Sequence, residues 1–323
     1  MIKNIFTFLL FVFIAVCGSA EQVQFNVSYI DDAESGFYDP TYGTARQNAF
    51  EYACGIWSDY LGASYAEETI YVSASFTDLG GTSSSATLGG AGPSIINSNS
   101  DTDGYWANAA NANHLTQTDI NPDTLEIHAQ FNSAVDNSTV LGSRGFYYGL
   151  DGNCGSDIDF ATVLLHELGH GLGFTPLIDS ETGAYTYSGI PSLYDYFIAL
   201  NTGTDYTPLT GMTDTERLSA ITSDDLYWLG GNAVTANDGN PVKIYAPTDW
   251  EQGSSVSHQD EGTYPDALMG PHYSGVVHSP DALTLGMLTD LGWDVIPEPS
   301  TMMLLASFGV IALFVRRRLS FMA

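Results

Sequence analysis

Basic residues are scarce in this chain of 323 residues, because eight Lys and Arg stand against 38 Asp and Glu, a formal net charge of −30. Four of the eight lie near the ends, Lys3 and Arg316 to Arg318, whereas every acidic residue except Glu298 lies in residues 21–296. Four basic residues against 37 acidic ones leave this body a charge near −33. Nucleic-acid binding depends on neutralising backbone phosphates. We therefore exclude a nucleic-acid partner.

Cysteine is rare as well, and the chain has no C-x-x-C pair of the kind that carries redox or structural zinc chemistry. Apart from Cys17 in the N-terminal segment, only Cys54 and Cys154 are present. An even pair in an oxidising compartment favours a Cys54–Cys154 disulfide. It would close a loop of about 100 residues and contribute about 4–5 kcal/mol in the chain-entropy model. Two buried free thiols are the alternative.

Long apolar runs are missing too: neither terminal apolar stretch reaches the roughly 17–25 residues of a transmembrane helix. Residues 1–20 contain Lys3, an apolar stretch at 5–16 and the small residues Gly18, Ser19 and Ala20. This order is typical of a cleaved signal peptide. An uncleaved anchor is the alternative.

The C-terminal tail, residues 297–323, has three parts: Pro297-Glu298-Pro299, an apolar stretch at 302–315, and Arg316 to Arg318. It resembles the PEP-CTERM sorting signal of Gram-negative bacteria. The resemblance implies an exosortase-type processing enzyme as partner, transient membrane contact through the tail, and delivery to the cell surface, the extracellular matrix or the medium. A plain membrane anchor is the alternative. Both place residues 21–296 outside the cytoplasm.

The body shows the patterns of an α+β protein. Alternating apolar residues predict strands at 22–30, 69–76 and 124–131. Helical spacing predicts helices at 45–61, 158–172 and 281–291, and the Gly/Ser/Asn-rich stretch 80–104 predicts a loop. We expect an N-terminal subdomain at 21–175, with mixed sheet and helices, and a looser C-terminal subdomain at 176–296.

The motif His166-Glu167-Leu168-Gly169-His170 is the strongest indication of function in the sequence. Chance would supply roughly 0.006 copies of H-E-x-x-H in a chain of this composition. Histidines at i and i+4 project from one helix face, where two imidazoles can bind one Zn²⁺. Glu167 can then reach a water at the metal as a general base.

A zinc hydrolase needs a third protein ligand, and the residues after the motif do not supply it because Pro176 occupies the position used by short metzincin patterns. His258 lies in Ser257-His258-Gln259-Asp260, before the stretches DALMGP at 266–271 and LTLGMLTDLGW at 283–293. Together with HELGHGLGF at 166–174, these blocks resemble the leishmanolysin family of metzincins. The resemblance implies a metzincin-like α+β fold, His258 as third ligand and Met269 as an apolar floor below the metal. His272 and His278 are the alternatives for the third ligand.

The resemblance implies a secreted zinc endopeptidase that acts on a protein or peptide substrate. The predicted strand 124–131 comes shortly before the motif helix and is a candidate cleft edge, to which an extended peptide could add as another strand. A non-catalytic, acidic, calcium-binding surface or matrix protein on a protease scaffold is the alternative, and a zinc amidase is a third possibility. Ca²⁺ stays open as a second cofactor because Asn99, Asp101, Asp103 and Gly104 resemble part of a calcium loop, although Ala110 stands where the loop's glutamate belongs.

Overall fold

The computed structural model describes residues 21–97, 104–137 and 139–296. The predicted signal peptide and sorting tail lie outside the described residues, as do Asn99, Asp101 and Asp103 of the candidate calcium loop. Within the described part, six helices and several small sheets form a mixed α+β structure, so the predicted fold class is confirmed at that level.

The helices are α1 (Gly43–Tyr60), α2 (Ala109–Thr116), α3 (Phe160–Leu172), α4 (Asp214–Ala220), α5 (Gly231–Ala236) and α6 (Ala282–Asp290). The strands are β1 (Gln24–Tyr29), β2 (Leu61–Gly62), β3 (Thr69–Thr77), β4 (Gly89–Pro93), β5 (Ile95–Asn97), β6 (Trp106–Asn108), β7 (Ile127–Asn132), β8 (Phe146–Tyr147), β9 (Ile158–Asp159), β10 (Ile198–Asn201), β11 (Tyr206–Pro208), β12 (Leu226–Trp228), β13 (Val242–Ile244) and β14 (Asp294–Val295).

The first sheet has the order β1-β3-β7-β4, and β4 alone runs antiparallel to its neighbour. The prediction of a loop over 80–104 is therefore wrong at 89–93 and 95–97. The sequence Gly89-Gly90-Ala91-Gly92-Pro93 has almost no side chains to show alternation, which is why pattern reasoning missed this strand. As a result β7 is an inner strand, and the prediction that residues 124–131 form the cleft edge is wrong.

Helices α1 and α3 pack against each other beneath this sheet, and the apolar stripe of α3 is almost completely buried. The Trp57 side chain of α1 donates from Nε1 to the Leu165 carbonyl of α3 at 3.1 Å. Phe50 and Phe131 pack edge-on with ring centroids 6.0 Å apart, and Phe160 joins them from the start of α3. Burial of such rings contributes about 1.5–3 kcal/mol each, so the sheet holds α3 in a fixed position.

The second half, predicted to be looser, contains its own antiparallel sheet with the order β11-β10-β12-β13. Helices α5 and α6 pack beside each other, and the Asp290 carboxylate accepts from Trp228 Nε1 at 2.9 Å. After α6, β14 pairs with β2 of the first half. One apolar core runs through both halves, and their division into two subdomains stays a prediction.

The predicted Cys54–Cys154 disulfide is absent, because both cysteines are free thiols in the structure. Cys54 faces the core from α1, where burial raises the pKa of its thiol. Cys154 lies half-buried in the loop before α3, with Sγ 4.0 Å from the Tyr273 hydroxyl. The alternative of two free thiols fits the structure better, although only Cys54 is fully buried.

Candidate metal centre and cleft

Helix α3 carries the H-E-x-x-H motif, and both of its ends are set by local sequence. Asp159 caps the start, because its carboxylate accepts from the Thr162 N–H at 2.8 Å. Gly173 ends the helix with φ 153°, where a Cβ would lie 2.6 Å from Leu291. The last helical residue is therefore Leu172, two residues after His170.

Three histidines meet at one point. The Nε2 atoms of His166 and His170 lie 3.1 Å apart, those of His170 and His258 3.2 Å, and those of His258 and His166 3.1 Å. Tetrahedral Zn–N bonds of 2.0–2.1 Å place ligand nitrogens about 3.3–3.4 Å apart. The triangle of nitrogens is thus within a few tenths of an ångström of a zinc donor set, although His258 lies 88 residues beyond His170.

Each of the three rings is oriented by a backbone carbonyl on its other nitrogen. His166 Nδ1 donates to the Leu268 carbonyl, His170 Nδ1 to Phe174 and His258 Nδ1 to Ser254, all at 2.8 Å. Since Nδ1 carries the proton in each neutral ring, the three Nε2 lone pairs face one another. Three acceptors this close repel unless a cation lies among them, so the donor set fits a metal ion.

Burial keeps these imidazoles neutral, as metal ligation requires. Desolvation lowers the pKa of His166, and desolvation with the nearby His166 lowers the pKa of His170 to about 3. Desolvation and both neighbouring histidines push the pKa of His258 well below its ordinary range. These shifts describe the site without a cation.

The other candidates for the third ligand lie elsewhere. His278 Nε2 is 2.8 Å from the Asp159 carboxylate, and His272 lies between Glu251 and Glu261 on the rim. His166, His170 and His258 form the one group of potential metal ligands found among the described residues. The geometry therefore favours His258 over His272 and His278.

Met269 contacts the motif from below the helix backbone. It is fully buried, and a Cβ on Gly169 would lie only 2.6 Å from its Sδ. The preceding residue, Leu268, supplies the carbonyl that orients His166. The turn thus supports the histidine cluster through packing and one hydrogen bond, and Gly169 makes the close approach possible.

Glu167 lies beside the histidines, and only 7% of its surface is exposed. Burial raises the pKa of its carboxyl group to about 8, although the Ala91 N–H of β4 bonds to it and partly offsets the rise. A Cβ on Gly89 would lie 3.3 Å from Glu167 Cγ, so the glycine gives the carboxylate room. This arrangement places a carboxyl group, the side-chain type that can exchange a proton with a water, next to the triangle of imidazole nitrogens.

A cleft of about 850 Å³ contains Glu167 and the three histidines. One wall is β4, whose second edge pairs with no strand among the described residues. Residues of two later segments also line the cleft, Gln252 to Ser255 with Ser257 and His258, and Gly270 to Gly275. An unpaired edge can bind an extended peptide as an added strand.

Tyr273 also lines the cleft. Its hydroxyl accepts from the Asp159 N–H at 3.0 Å. The tyrosine thus ties the segment after Met269 to the start of α3.

Comparison with known proteins identifies one family element: residues 295–318 match the PEP-CTERM protein-sorting motif. This motif marks an exported protein of the extracellular space or cell surface, whose C-terminus an exosortase recognises and processes. No curated protein and no solved structure matches the chain. Across the described ranges, every helix is too short or too polar to cross a bilayer.

Proposed function

We propose that this exported protein is a zinc-dependent endopeptidase. The observation that carries the proposal is the triangle of Nε2 atoms, 3.1–3.2 Å on each side, with Glu167 beside it in an open cleft. The leishmanolysin-like order of the sequence blocks agrees with this arrangement. His166, His170 and His258 would hold the metal, which leaves a fourth position for water or substrate.

The bound Zn²⁺ would supply Lewis-acid activation of a water and of a carbonyl group. The chain's own residues do the rest. The free edge of β4 holds an extended peptide so that its amide lies next to Glu167. Glu167 takes the proton from the attacking water and delivers it to the leaving amine.

The test uses zinc analysis and cleavage of a casein-type substrate by the parent, Glu167→Gln and His258→Ala. We expect about one zinc per parent chain, and loss of zinc in His258→Ala. Glu167→Gln should keep its zinc and lose cleavage by at least about 100-fold, since a positioned base contributes 10²–10⁴-fold.

A folded parent with neither zinc nor cleavage would contradict the proposal and leave the acidic, calcium-binding matrix protein as the better account. A parent that binds zinc and releases ammonia from small amides without cutting peptides would favour the amidase.

A further inference from the structure

One basic side chain of the body differs from the others. Three of the four form ion pairs: Arg46 with Asp136 at 2.8 Å, Arg217 with Asp214 at 2.9 Å and Lys243 with Asp224 at 2.9 Å. Arg144 has no carboxylate oxygen within 4.0 Å among the described residues. Its Nε donates to the Ser156 carbonyl at 2.7 Å, and its terminal nitrogens have no described protein acceptor. In a body with 37 acidic residues, an unpaired arginine requires an explanation.

Arg144 lines the cleft that holds the histidine cluster. Among the described residues lining this cleft, Glu167 is the one carboxylate. Glu251 and Glu261 lie nearby but contact His272 on the rim. The inner surface of the cleft is therefore much less acidic than the protein as a whole, and its arginine is free to bind an anion.

The position of Arg144 along the cleft follows from the packing of its segment. The Leu141 N–H donates to the Thr82 carbonyl at 2.8 Å, and a Cβ on Gly142 would lie 3.7 Å from the Ser83 carbonyl oxygen. Residues 140–144 thus lie against the segment that leads into β4. Glu167 contacts β4 further along, at Gly89 and Ala91. Arg144 therefore lies beside the segment that precedes β4, on the side of Gly89 away from Ala91.

The direction of a bound peptide decides which of its residues meets Arg144. Antiparallel pairing is the more stable arrangement, so an added peptide runs opposite to β4. From its N-terminus to its C-terminus, the bound peptide then passes Glu167 and continues toward the start of β4. The residues that follow the scissile bond lie on the Arg144 side.

We infer that Arg144 is a specificity-determining residue that selects substrates with an acidic side chain shortly after the scissile bond. The inference rests on the proposed endopeptidase function and names its substrate class. The two free terminal nitrogens of the guanidinium match the two oxygens of a carboxylate.

The charge of the body opposes this preference at long range, because a surface near −33 repels acidic peptides. At 0.15 M salt the Debye length is about 8 Å, so this repulsion is largely screened beyond the cleft mouth. A carboxylate in direct contact with Arg144 is screened far less. Since Arg144 is exposed, we expect a selectivity of about three- to tenfold, and not the larger effect of a buried pair.

The experiment compares zinc-loaded parent, Arg144→Gln and Lys243→Gln on quenched peptides. Each pair of peptides differs by Glu or Gln at one of the first three positions after the scissile bond. The readout is the Glu/Gln ratio of kcat/KM within each variant, which removes general losses of activity. Lys243→Gln makes the same change in net charge away from Arg144. We expect a ratio of about three to ten for the parent and Lys243→Gln, and near one for Arg144→Gln.

A second readout does not depend on cleavage. Fluorescence anisotropy of the same peptides on chelator-treated protein should show the same preference in affinity. If the parent cleaves no peptide, the proposed function fails, and this binding ratio alone decides the role of Arg144. Equal ratios in parent and Arg144→Gln, or a preference confined to positions before the scissile bond, would overturn the inference.

Discussion

Gly169 lies in the middle of the H-E-x-x-H motif, and replacing it by alanine tests the packing below the histidine cluster. The added Cβ would lie 2.6 Å from Met269 Sδ and 3.1 Å from Met269 Cε, while Met269 is fully buried. Real Cβ atoms do not come within 3.0 Å of a neighbour, so Met269 must move. Gly55 in α1 offers a matched control, since a Cβ there meets nothing within 4 Å.

Two opposing effects determine the result. Alanine is favoured over glycine in a helix by about 0.8–1 kcal/mol, whereas overpacking a core costs about 1–3 kcal/mol. We expect Gly55→Ala to raise the free energy of unfolding by about 1 kcal/mol. Gly169→Ala should lower it by up to about 2 kcal/mol. For a chain of this size, each kcal/mol moves Tm by about 2–4 °C, so thermal unfolding of chelator-treated protein can separate the two variants.

Displacement of Met269 also disturbs the site, because the neighbouring Leu268 carbonyl orients His166. Loss of such support lowers metal affinity by about 10–100-fold, which competition with a zinc chelator can measure. In the double variant Gly169→Ala/Met269→Ala, the loss of stability should be smaller than the sum of the single losses. If Gly169→Ala stabilises the protein as much as Gly55→Ala, Met269 does not pack tightly against Gly169, and the reasoning is refuted.

Three further outcomes follow from the structure. His258→Ala should weaken zinc binding in chelator competition far more than His272→Ala, and equal losses would exclude His258 as third ligand. Gly89→Ala should lower kcat with zinc retained, because its Cβ would lie 3.3 Å from Glu167 Cγ as well as 3.0 Å from Phe131 Cδ1. It should cost more than Gly90→Ala, whose Cβ meets nothing within 4 Å. If Gly90→Ala costs more, the proposed contact is wrong. Burial raises the pKa of the Asp195 carboxyl from 3.8 to about 6, so its contribution to stability is largest below pH 3.8 and is lost as pH rises through 6. Asp195→Asn should therefore remove up to about 3 kcal/mol of pH dependence from urea unfolding between pH 4 and 7, and an unchanged slope would contradict this assignment.

The helix that carries the H-E-x-x-H motif could be predicted from sequence because its signals are local. Spacing of Leu165, Leu168 and Leu172 marks one apolar face, and the two histidines lie on the same helix by i,i+4 geometry. The predicted strands at 22–30 and 69–76 correspond to the observed strands at 24–29 and 69–77 for the same reason, since β-branched and alternating residues indicate them directly.

The rest depends on contacts between distant segments. No local pattern shows that β4 pairs with the edge of β7, because a glycine-rich strand has no alternation of apolar and polar side chains. The second sheet was missed since its strands are only three or four residues long. His258 was found only through the resemblance of its surrounding blocks to leishmanolysin, and its distance to His170 is a property of the fold. The prediction of a disulfide was wrong because the number of cysteines and the oxidising compartment do not show whether two thiols lie in contact.

The edge of β4 that pairs with no strand among the described residues has a consequence for association between copies of the protein. An unpaired edge is a template on which any extended strand can add, and glycines leave it without the charged side chains that usually guard such edges. Two bodies that each carry a charge near −33 repel one another, and most strongly at low ionic strength. The acidity that excludes a nucleic-acid partner therefore also opposes polymerisation through this strand edge.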